Sequence, residues 1–318
     1  MMNRLITGLF LLAMTACGQT GHRQGAKNPD ASHPVSDETV AKDFPMPELP
    51  AMLMGENDIR EYLVTHFWDR FDFSDSLQLE NKPSVLQGLA NFVTLSREVP
   101  EDREEVVRAG IETLCKGITA YPEVTDSLKY YVEEYLYNPN SPYYNENLYG
   151  IYLENMIAGL GTDNPQVSSY RFRLELIRKN RIGTKAEDFV YYLPDGTRSS
   201  LYATPVQGNR LVLVFYDPEC HSCHDILTGM FADEALQRAV VDGAVTVLAV
   251  HTEDDEAVWK KYLNGMPCGW IIGQDKGAVR DKALYDLKAM PTIYLLDKDK
   301  KVILKDAPYE VIRQAVFE

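Results

Sequence analysis

Short, uninterrupted apolar segments constrain the fold of the C-terminal part of the chain most strongly. They are LVLVFY at 211–216, VTVLAV at 245–250 and TIYLL at 292–296. Each is apolar on both faces, and helical segments separate them, so they indicate a sheet that helices cover on both sides. A hairpin signal at Pro194–Gly196 precedes them, and a tight turn at 297–300 predicts a closing antiparallel pair. The sequence therefore predicts an α/β domain with a mixed sheet and flanking helices.

Residues 56–182 have a different pattern, in which apolar side chains recur at steps of three and four. Val107, Ile111, Leu114 and Ile118 form one such stripe, which is typical of an amphipathic helix. The last helix is expected to start at Asn164–Pro165 and to end just before Gly183. We therefore predict an N-terminal all-α domain of unknown function over residues 56–182, followed by the α/β domain over residues 183–318. No catalytic constellation is visible in the helical part.

The first residues resemble a bacterial lipoprotein signal. Arg4 is followed by an apolar run at 5–14 that is too short to span a bilayer, then by two small residues and Cys17. Residues 1–16 would be removed, and Cys17 would become the lipidated first residue of the mature chain. An ordinary secretory signal cut near Ala16 is the alternative. Both interpretations place the protein outside the cytoplasm.

The segment that follows this signal, residues 17–55, contains five prolines and little apolar periodicity. Such a composition is typical of an extended, flexible tether. We expect it to hold the folded part away from a membrane surface.

Charge and cysteine content exclude two further classes of protein. A formal net charge of −15 argues against a nucleic-acid partner, because a phosphate backbone requires clustered Lys and Arg. Beyond Cys17, the four cysteines Cys115, Cys220, Cys223 and Cys268 are too few for a disulfide-stapled fold. Cys115 is expected to be a buried free thiol; a bridge from it to Cys268 would link the two domains, and the sequence leaves that pairing open.

The segment Cys220-His-Ser-Cys223-His224 fits two patterns, a c-type haem attachment site and a thioredoxin-like dithiol. A haem needs axial ligands inside a mostly helical wrap, whereas this motif follows a buried strand. Met230 and Met266 are more typical of core side chains than of haem ligands. No second ligand pair at zinc-finger spacing is present, so we expect neither a metal nor a cofactor.

A dithiol enzyme explains the placement of the motif better. Cys220 would begin a helix, where the N–H groups favour a thiolate, and Cys223 would lie almost one turn further on and more buried. Downstream, Met290 and Pro291 stand immediately before the strand TIYLL.

Together these features resemble the thioredoxin fold, and more specifically the TlpA/ResA-like thiol–disulfide oxidoreductases of bacterial envelopes, over residues 183–318. The resemblance implies that Cys220 attacks and Cys223 resolves. It also implies that Pro291 is cis and faces the pair, and that Pro291, Met290 and His221 contact the substrate. The helical part resembles, in YLYNPNSPYYNE, an uncharacterised domain found ahead of such modules in anchored lipoproteins.

The motif departs from this family at the positions that tune it. The dipeptide between the cysteines is His221–Ser222, and the two positions where relatives carry an acid are Val214 and Ile226. Asp217 is interpreted as a loop cap and Asp225 as a solvated helix residue, so the proton shuttle stays unassigned.

The function expected from the sequence is a membrane-anchored thiol–disulfide oxidoreductase, tethered through lipid on Cys17. Its partners would be protein thiols and disulfides of the periplasm and an upstream redox protein. Gly18 is not the Asp that often retains lipoproteins in the inner membrane, so the outer membrane, facing the periplasm, is favoured. The direction of electron flow, the substrate and the oligomeric state are left open.

Two other functions compete with this one. The thioredoxin-like domain could serve as a binding module that docks an envelope protein, with the dithiol incidental. A thiol peroxidase shares the fold, but its usual pattern needs a Cys where this chain has Asp225.

Overall fold

The computed structural model describes residues 43–317, and the first part of these residues is helical. The predicted stripe at Val107, Ile111, Leu114 and Ile118 is buried, as a helix packed through one face requires. The α-helices of this part are α1 Glu56–Thr65, α2 Ser76–Glu80, α3 Lys82–Arg97, α4 Glu104–Ala120, α5 Asp126–Leu136, α6 Glu146–Leu160 and α7 Gln166–Arg178.

The start of α7 agrees with the sequence, but its end does not. Asn164 Oδ1 accepts a hydrogen bond from the Gln166 N–H at 2.9 Å, which caps the first turn. The helix ends at Arg178 rather than just before Gly183, and Asn180 takes the left-handed conformation with φ 53°. Asparagine tolerates this conformation better than most residues, so the expected glycine was not needed there.

An aromatic cluster forms the centre of the helical core. It consists of Phe67, Trp68, Phe71, Phe73 and Phe92, all buried. Phe44 packs onto it, with its ring centroid 5.1 Å from that of Phe67. Residues 43–55 form no helix or strand, yet through Phe44 this end of the predicted tether is attached to the fold. The predicted signal at 1–16, the lipidation site Cys17 and the tether up to residue 42 lie outside the described residues.

The second part of the described chain alternates strands and helices. Its strands are β1 Val190–Tyr192, β2 Arg198–Ser200, β3 Arg210–Tyr216, β4 Val245–His251, β5 Ile271–Gln274, β6 Thr292–Asp297 and β7 Val302–Leu304. Its α-helices are α8 His221–Ala232, α9 Glu234–Val241, α10 Glu256–Tyr262, α11 Ala278–Asp281 and α12 Tyr309–Phe317. The predicted change from helices to an α/β pattern therefore falls between α7 and β1.

These strands form one mixed sheet in the order β2-β1-β5-β4-β3-β6-β7. The central strand β3 is parallel to β4 and antiparallel to β6, with Leu213 opposite both Leu248 and Tyr294. The sheet ends on one side in the predicted hairpin, β1 with β2, and on the other in the closing pair, β6 with β7. The mixed sheet expected from the sequence is confirmed.

Apolar side chains cover both faces of the sheet, because the central strands are apolar on both faces. One layer contains Val212, Val214, Tyr216, Val247 and Leu295, and the other contains Leu211, Leu213, Phe215, Leu248 and Leu296. Helices α8, α9, α10 and α12 contribute to the first layer, and α11 contributes to the second. Trp259 and Trp270 are also buried in the first layer.

The chain between β3 and β4 forms two helices, α8 and α9, with a break at Asp233. The Asp233 carboxylate accepts hydrogen bonds from the N–H groups of Ala235 and Leu236 and so begins a new helix. It also accepts from Tyr309 Oη at 2.8 Å and pairs with Arg313 Nε at 2.6 Å, which fixes α12 against the break.

Within residues 43–317, no helix combines the length and apolar character needed to cross a bilayer. The helical part and the α/β part belong to one compact unit.

Candidate active site

Cys220 stands at the N-terminus of α8, immediately beyond the central strand β3. Four residues, Asp217 to Cys220, connect the two elements, and Asp217 holds this loop in place. Asp217 Oδ1 accepts the Glu219 N–H at 2.9 Å, and its backbone carbonyl accepts the Cys220 N–H at 3.2 Å. Asp217 is thus the loop cap expected from the sequence. Because the loop is fixed, Cys220 is held half-exposed in an extended conformation at the start of the helix.

Cys223 lies behind Cys220 and is fully buried in the sheet-side core. Burial raises the pKa of Cys223 to about 12, although the Asp217 N–H, 3.5 Å from its sulfur, favours the thiolate. Cys220 and Cys223 are both free thiols and form no disulfide here. One thiol is therefore accessible, and the other is shielded and protonated at neutral pH.

The segment before β6 faces Cys220 from across the site. The Met290–Pro291 peptide bond is cis, and Cys220 Sγ lies 3.8 Å from the Met290 carbonyl oxygen, to which it donates. Thr292 Oγ1 donates to the Ala289 carbonyl at 2.6 Å and closes this short loop on itself. Residues 289–291 thus form the wall opposite the thiol.

A groove of about 430 Å³ lies between α8 and the segment before β6. Its lining includes Ser222, Ile226 and other residues of α8, and residues 289–291 of that segment. The segment 306–310 closes the far end, and Pro139 and Asn140 of the helical part complete the rim. The groove therefore combines side chains of both parts of the chain.

His221, expected from the sequence to contact the substrate, is exposed on the first turn of α8. Its side chain is 91% exposed, and its Nε2 lies 3.5 Å from Asp225 Oδ2, one helical turn along α8. It is not among the residues that line the groove. Met290 and Pro291, the other two predicted contacts, do line it.

The two positions where relatives carry an acid hold no ionisable side chain. Val214 is fully buried, and Ile226 packs against the same core. His251, at the end of β4 in register with Tyr216, is a buried ionisable group that the sequence analysis did not single out. Burial lowers the pKa of His251, and its ring nitrogens accept or donate no hydrogen bond among residues 43–317. Its position at the carboxyl end of β4, a strand beside β3, could have indicated it, because α/β proteins often place functional groups at such strand ends.

The other cysteines lie away from the site. Cys115 is buried in the helical core, where burial raises its pKa, and Cys268 is exposed ahead of β5. The expectation of a buried free thiol at Cys115 is confirmed. Since both are free, the possible bridge between the two domains is not formed in this structure.

Comparison with known proteins identifies the helical part. Residues 16–180 match the model of a domain of unknown function, DUF5106. The chain belongs to the DUF5106 family. No curated protein matches it significantly.

Solved structures extend the likeness of this DUF5106 protein to its α/β part. A thioredoxin-like protein from Bacteroides caccae is 32% identical, with 87% of this chain and 98% of that chain covered and a TM-score of 0.75. The C-terminal domain of an uncharacterized Bacteroides fragilis protein is 36% identical over 44% of this chain and 99% of that chain, with a TM-score of 0.42. A domain of a possible thiol-disulfide isomerase from Cytophaga hutchinsonii is 25% identical over 44% of this chain and 93% of that chain, with a TM-score of 0.39. The thioredoxin-like fold expected from the sequence is thus confirmed.

The difference in burial between the cysteines predicts which of them alkylate. In a short iodoacetamide pulse at pH 7 on the reduced protein, Cys220 should be labelled while Cys223 stays unmodified. At a pKa of about 12, only about one Cys223 in 10⁵ is a thiolate at pH 7. Mass spectrometry of tryptic peptides measures the labelling.

Exposed Cys268 serves as the positive control for that experiment and buried Cys115 as the negative one. Label on Cys223 ahead of Cys220 would contradict the assignment of the accessible thiol.

Proposed function

We propose that this DUF5106 protein is a thiol–disulfide oxidoreductase that acts on protein disulfides through Cys220 and Cys223. One observation carries the proposal. A half-exposed thiol at a helix N-terminus lies 3.8 Å from the carbonyl oxygen of Met290, a residue that lines an open groove, and a second thiol lies buried behind it. The 32% identity to a thioredoxin-like protein along nearly its whole length supports it.

The reaction would proceed in two exchanges. The Cys220 thiolate, at the N-terminus of α8, attacks one sulfur of a substrate disulfide. A Cys220–substrate bond forms, the substrate disulfide breaks, and the leaving substrate sulfur takes up a proton. Cys223 then loses its proton and attacks Cys220 Sγ, which forms the Cys220–Cys223 disulfide and releases the second substrate thiol. Two electrons pass from the dithiol to the substrate.

The surroundings of Cys223 suit this order of events. Because burial raises the pKa of Cys223, this thiol stays protonated in the free enzyme, before a substrate binds. The Asp217 N–H, which already points at its sulfur, would stabilise the thiolate when it forms. The reduced dithiol of an upstream redox protein would regenerate the enzyme, and the same exchanges run backwards would oxidise a substrate.

The cellular setting belongs to the same proposal. Cleavage after residue 16 would leave Cys17 to carry lipid, and residues 17–55, 56–182 and 183–318 would be tether, helical domain and thioredoxin-like domain. The enzyme would then be an envelope lipoprotein that faces the periplasm, on the outer membrane rather than the inner one.

The roles of the two cysteines can be tested by trapping. A Cys223→Ser variant should accumulate covalent adducts with a disulfide-bearing protein such as insulin, because nothing resolves the mixed disulfide. A Cys220→Ser variant should form none and should lose insulin reduction. Non-reducing electrophoresis measures the adducts, and Cys268→Ser is the matched control. Full activity in Cys220→Ser would refute the proposal.

The reduction potential of the pair then gives the direction of electron flow. A value near about −270 mV would indicate a reductase, and one near about −120 mV an oxidant.

A further inference from the structure

A buried ion-pair cluster connects the helical part to the wall of the groove. At its centre lies Lys288, two residues before Met290. Lys288 Nζ lies 2.6 Å from Asp306 Oδ2, 3.0 Å from Asp286 Oδ2 and 3.5 Å from Glu146 Oε1. Glu146 begins α6, so this carboxylate comes from the helical part, and its other oxygen lies 2.8 Å from Lys305 Nζ.

Two tyrosines of the helical part surround the same lysine. Tyr137 Oη donates to both Asp286 oxygens at 3.0 Å, and the Lys288 ammonium lies 4.9 Å from the Tyr137 ring centroid and 5.2 Å from that of Tyr144. The Lys288 side chain is only 6% exposed. Burial opposes its charge, but the Asp306 and Asp286 carboxylates outweigh burial and hold the pKa of Lys288 above its ordinary value. The cluster is therefore a charged, fixed junction rather than a solvated surface.

Backbone contacts extend this junction along the segment that leads to Pro291. Lys179 Nζ donates to the Ala283 carbonyl at 2.7 Å, and Asn180 Nδ2 donates to the Leu284 carbonyl at 2.8 Å. Lys305 Nζ, on the other side, donates to the carbonyls of Ile177 and Lys179. The helical part therefore contacts residues 283–288 at several points, through hydrogen bonds to the carbonyls of Ala283 and Leu284 and through the Lys288 cluster.

The same stretch of the helical part forms the rim of the groove. Pro139 and Asn140 lie two and three residues after Tyr137 and line the groove. Because Tyr137 binds Asp286 while Asn140 stands at the rim, one loop both fixes the wall and narrows the opening. The separation of 149 residues between Tyr137 and Asp286 shows that docking of the two parts creates this arrangement.

The chemistry of the groove defines what fits it. Its lining includes apolar side chains, Ile226, Ile293 and Pro291, and two exposed carboxylates, Asp225 and Glu310. Among the described residues that line it, none is Lys or Arg. An acidic rim over an apolar floor suits an extended peptide that places an apolar residue and a Lys or Arg beside its cysteine.

We propose that the loop 137–146 of the helical domain is the specificity element of the dithiol. It forms one rim of the groove and holds the Met290–Pro291 wall through the Lys288 cluster. Together with the Asp225 and Glu310 carboxylates across the groove lining, it admits extended cystine segments flanked by basic residues. This inference rests on the proposed oxidoreductase function.

The test compares three disulfides on the full chain, reduced by the stoichiometric dithiol form of the protein. Two are peptides that share one sequence around a cystine and differ only in flanking Lys or Glu. The third is a small disulfide, hydroxyethyl disulfide, which is too short to reach the rim. The unmodified protein should reduce the Lys peptide about tenfold faster than the Glu peptide, and this ratio should shrink in high salt.

The variant Asn140→Trp adds bulk at the rim, where Asn140 is exposed. It should lower the ratio of the Lys-peptide rate to the small-disulfide rate by about tenfold. Glu123→Trp, an equally exposed change in the same domain but outside the groove, should leave the ratio unchanged. Circular dichroism and thermal melting establish that both variants fold.

The outcomes separate this inference from the function on which it rests. If the unmodified protein reduces none of the three disulfides, the proposed function fails and the inference fails with it. If it reduces all three but the Lys and Glu peptides react equally, or if Asn140→Trp leaves the ratio unchanged, the function stands and the specificity role of the loop is refuted.

Discussion

Replacing Lys288 with methionine is expected to lower the free energy of unfolding by about 3–5 kcal/mol, the cost of leaving buried charges without their partner. The change removes the cation between Asp286 and Asp306, whose side chains are 3% and 4% exposed. Lys305 would then be the remaining cation of the cluster, and it contacts only Glu146 among its carboxylates. Urea unfolding followed by circular dichroism measures the change.

Lys298→Met is the matched control, because the Lys298 side chain is 63% exposed and, within residues 43–317, pairs only with its neighbour Asp299 at 3.6 Å. Surface substitutions of this kind stay within about 0.5 kcal/mol. Equal effects of the two variants would show that the Lys288 cluster does not stabilise the junction.

Gly208→Ala is expected to destabilise the protein by about 3 kcal/mol, because two costs combine. Gly208 adopts φ 67°, a conformation that alanine rarely takes. In addition, a Cβ there would lie 2.0 Å from the Ala244 carbonyl oxygen, so the backbone ahead of β3 or β4 must move. These are the two central parallel strands of the sheet, and thermal unfolding measures the loss.

The same substitution has the opposite sign in α8. A Cβ on Gly229 meets nothing within 4 Å, and alanine is favoured over glycine in a helix by about 1 kcal/mol. Gly229→Ala should therefore raise the unfolding temperature. A similar loss of stability in both variants would contradict the local origin of the Gly208 effect.

The elements that could be predicted from the sequence are those fixed by local pattern. β3 and β4 are apolar along their length and need to be covered on both faces, and the buried stripe of α4 recurs at helical spacing. The break at Asp233 could not be predicted in this way, because the carboxylate caps the next helix and also binds Tyr309 and Arg313 of α12. A side chain that gains partners from a distant helix leaves no local signal.

The candidate site divides in the same way. Cys220, Cys223 and Pro291 could be placed from short motifs beside recognisable strands. The His221 side chain is exposed on the first turn of α8 beside Asp225, and its contact with a substrate stays a prediction. Lys288 was not singled out, because its burial exists only once Glu146 and Asp306 meet around it. Contacts between the helical part and the α/β part form only when the two parts pack together, and the spacing of residues in the sequence does not indicate how they pack.

The junction around Lys288 also dictates an order of events during synthesis. The ribosome delivers the helical part first, so Tyr137 and Glu146 emerge long before their partners, which belong to the last stretch of the chain. Both thiols of the motif likewise emerge before residues 289–291 and 306–310 are made. A newly made chain therefore carries both sulfurs before the groove exists. Under the proposed specificity role, discrimination between partners would begin only once the final residues are made.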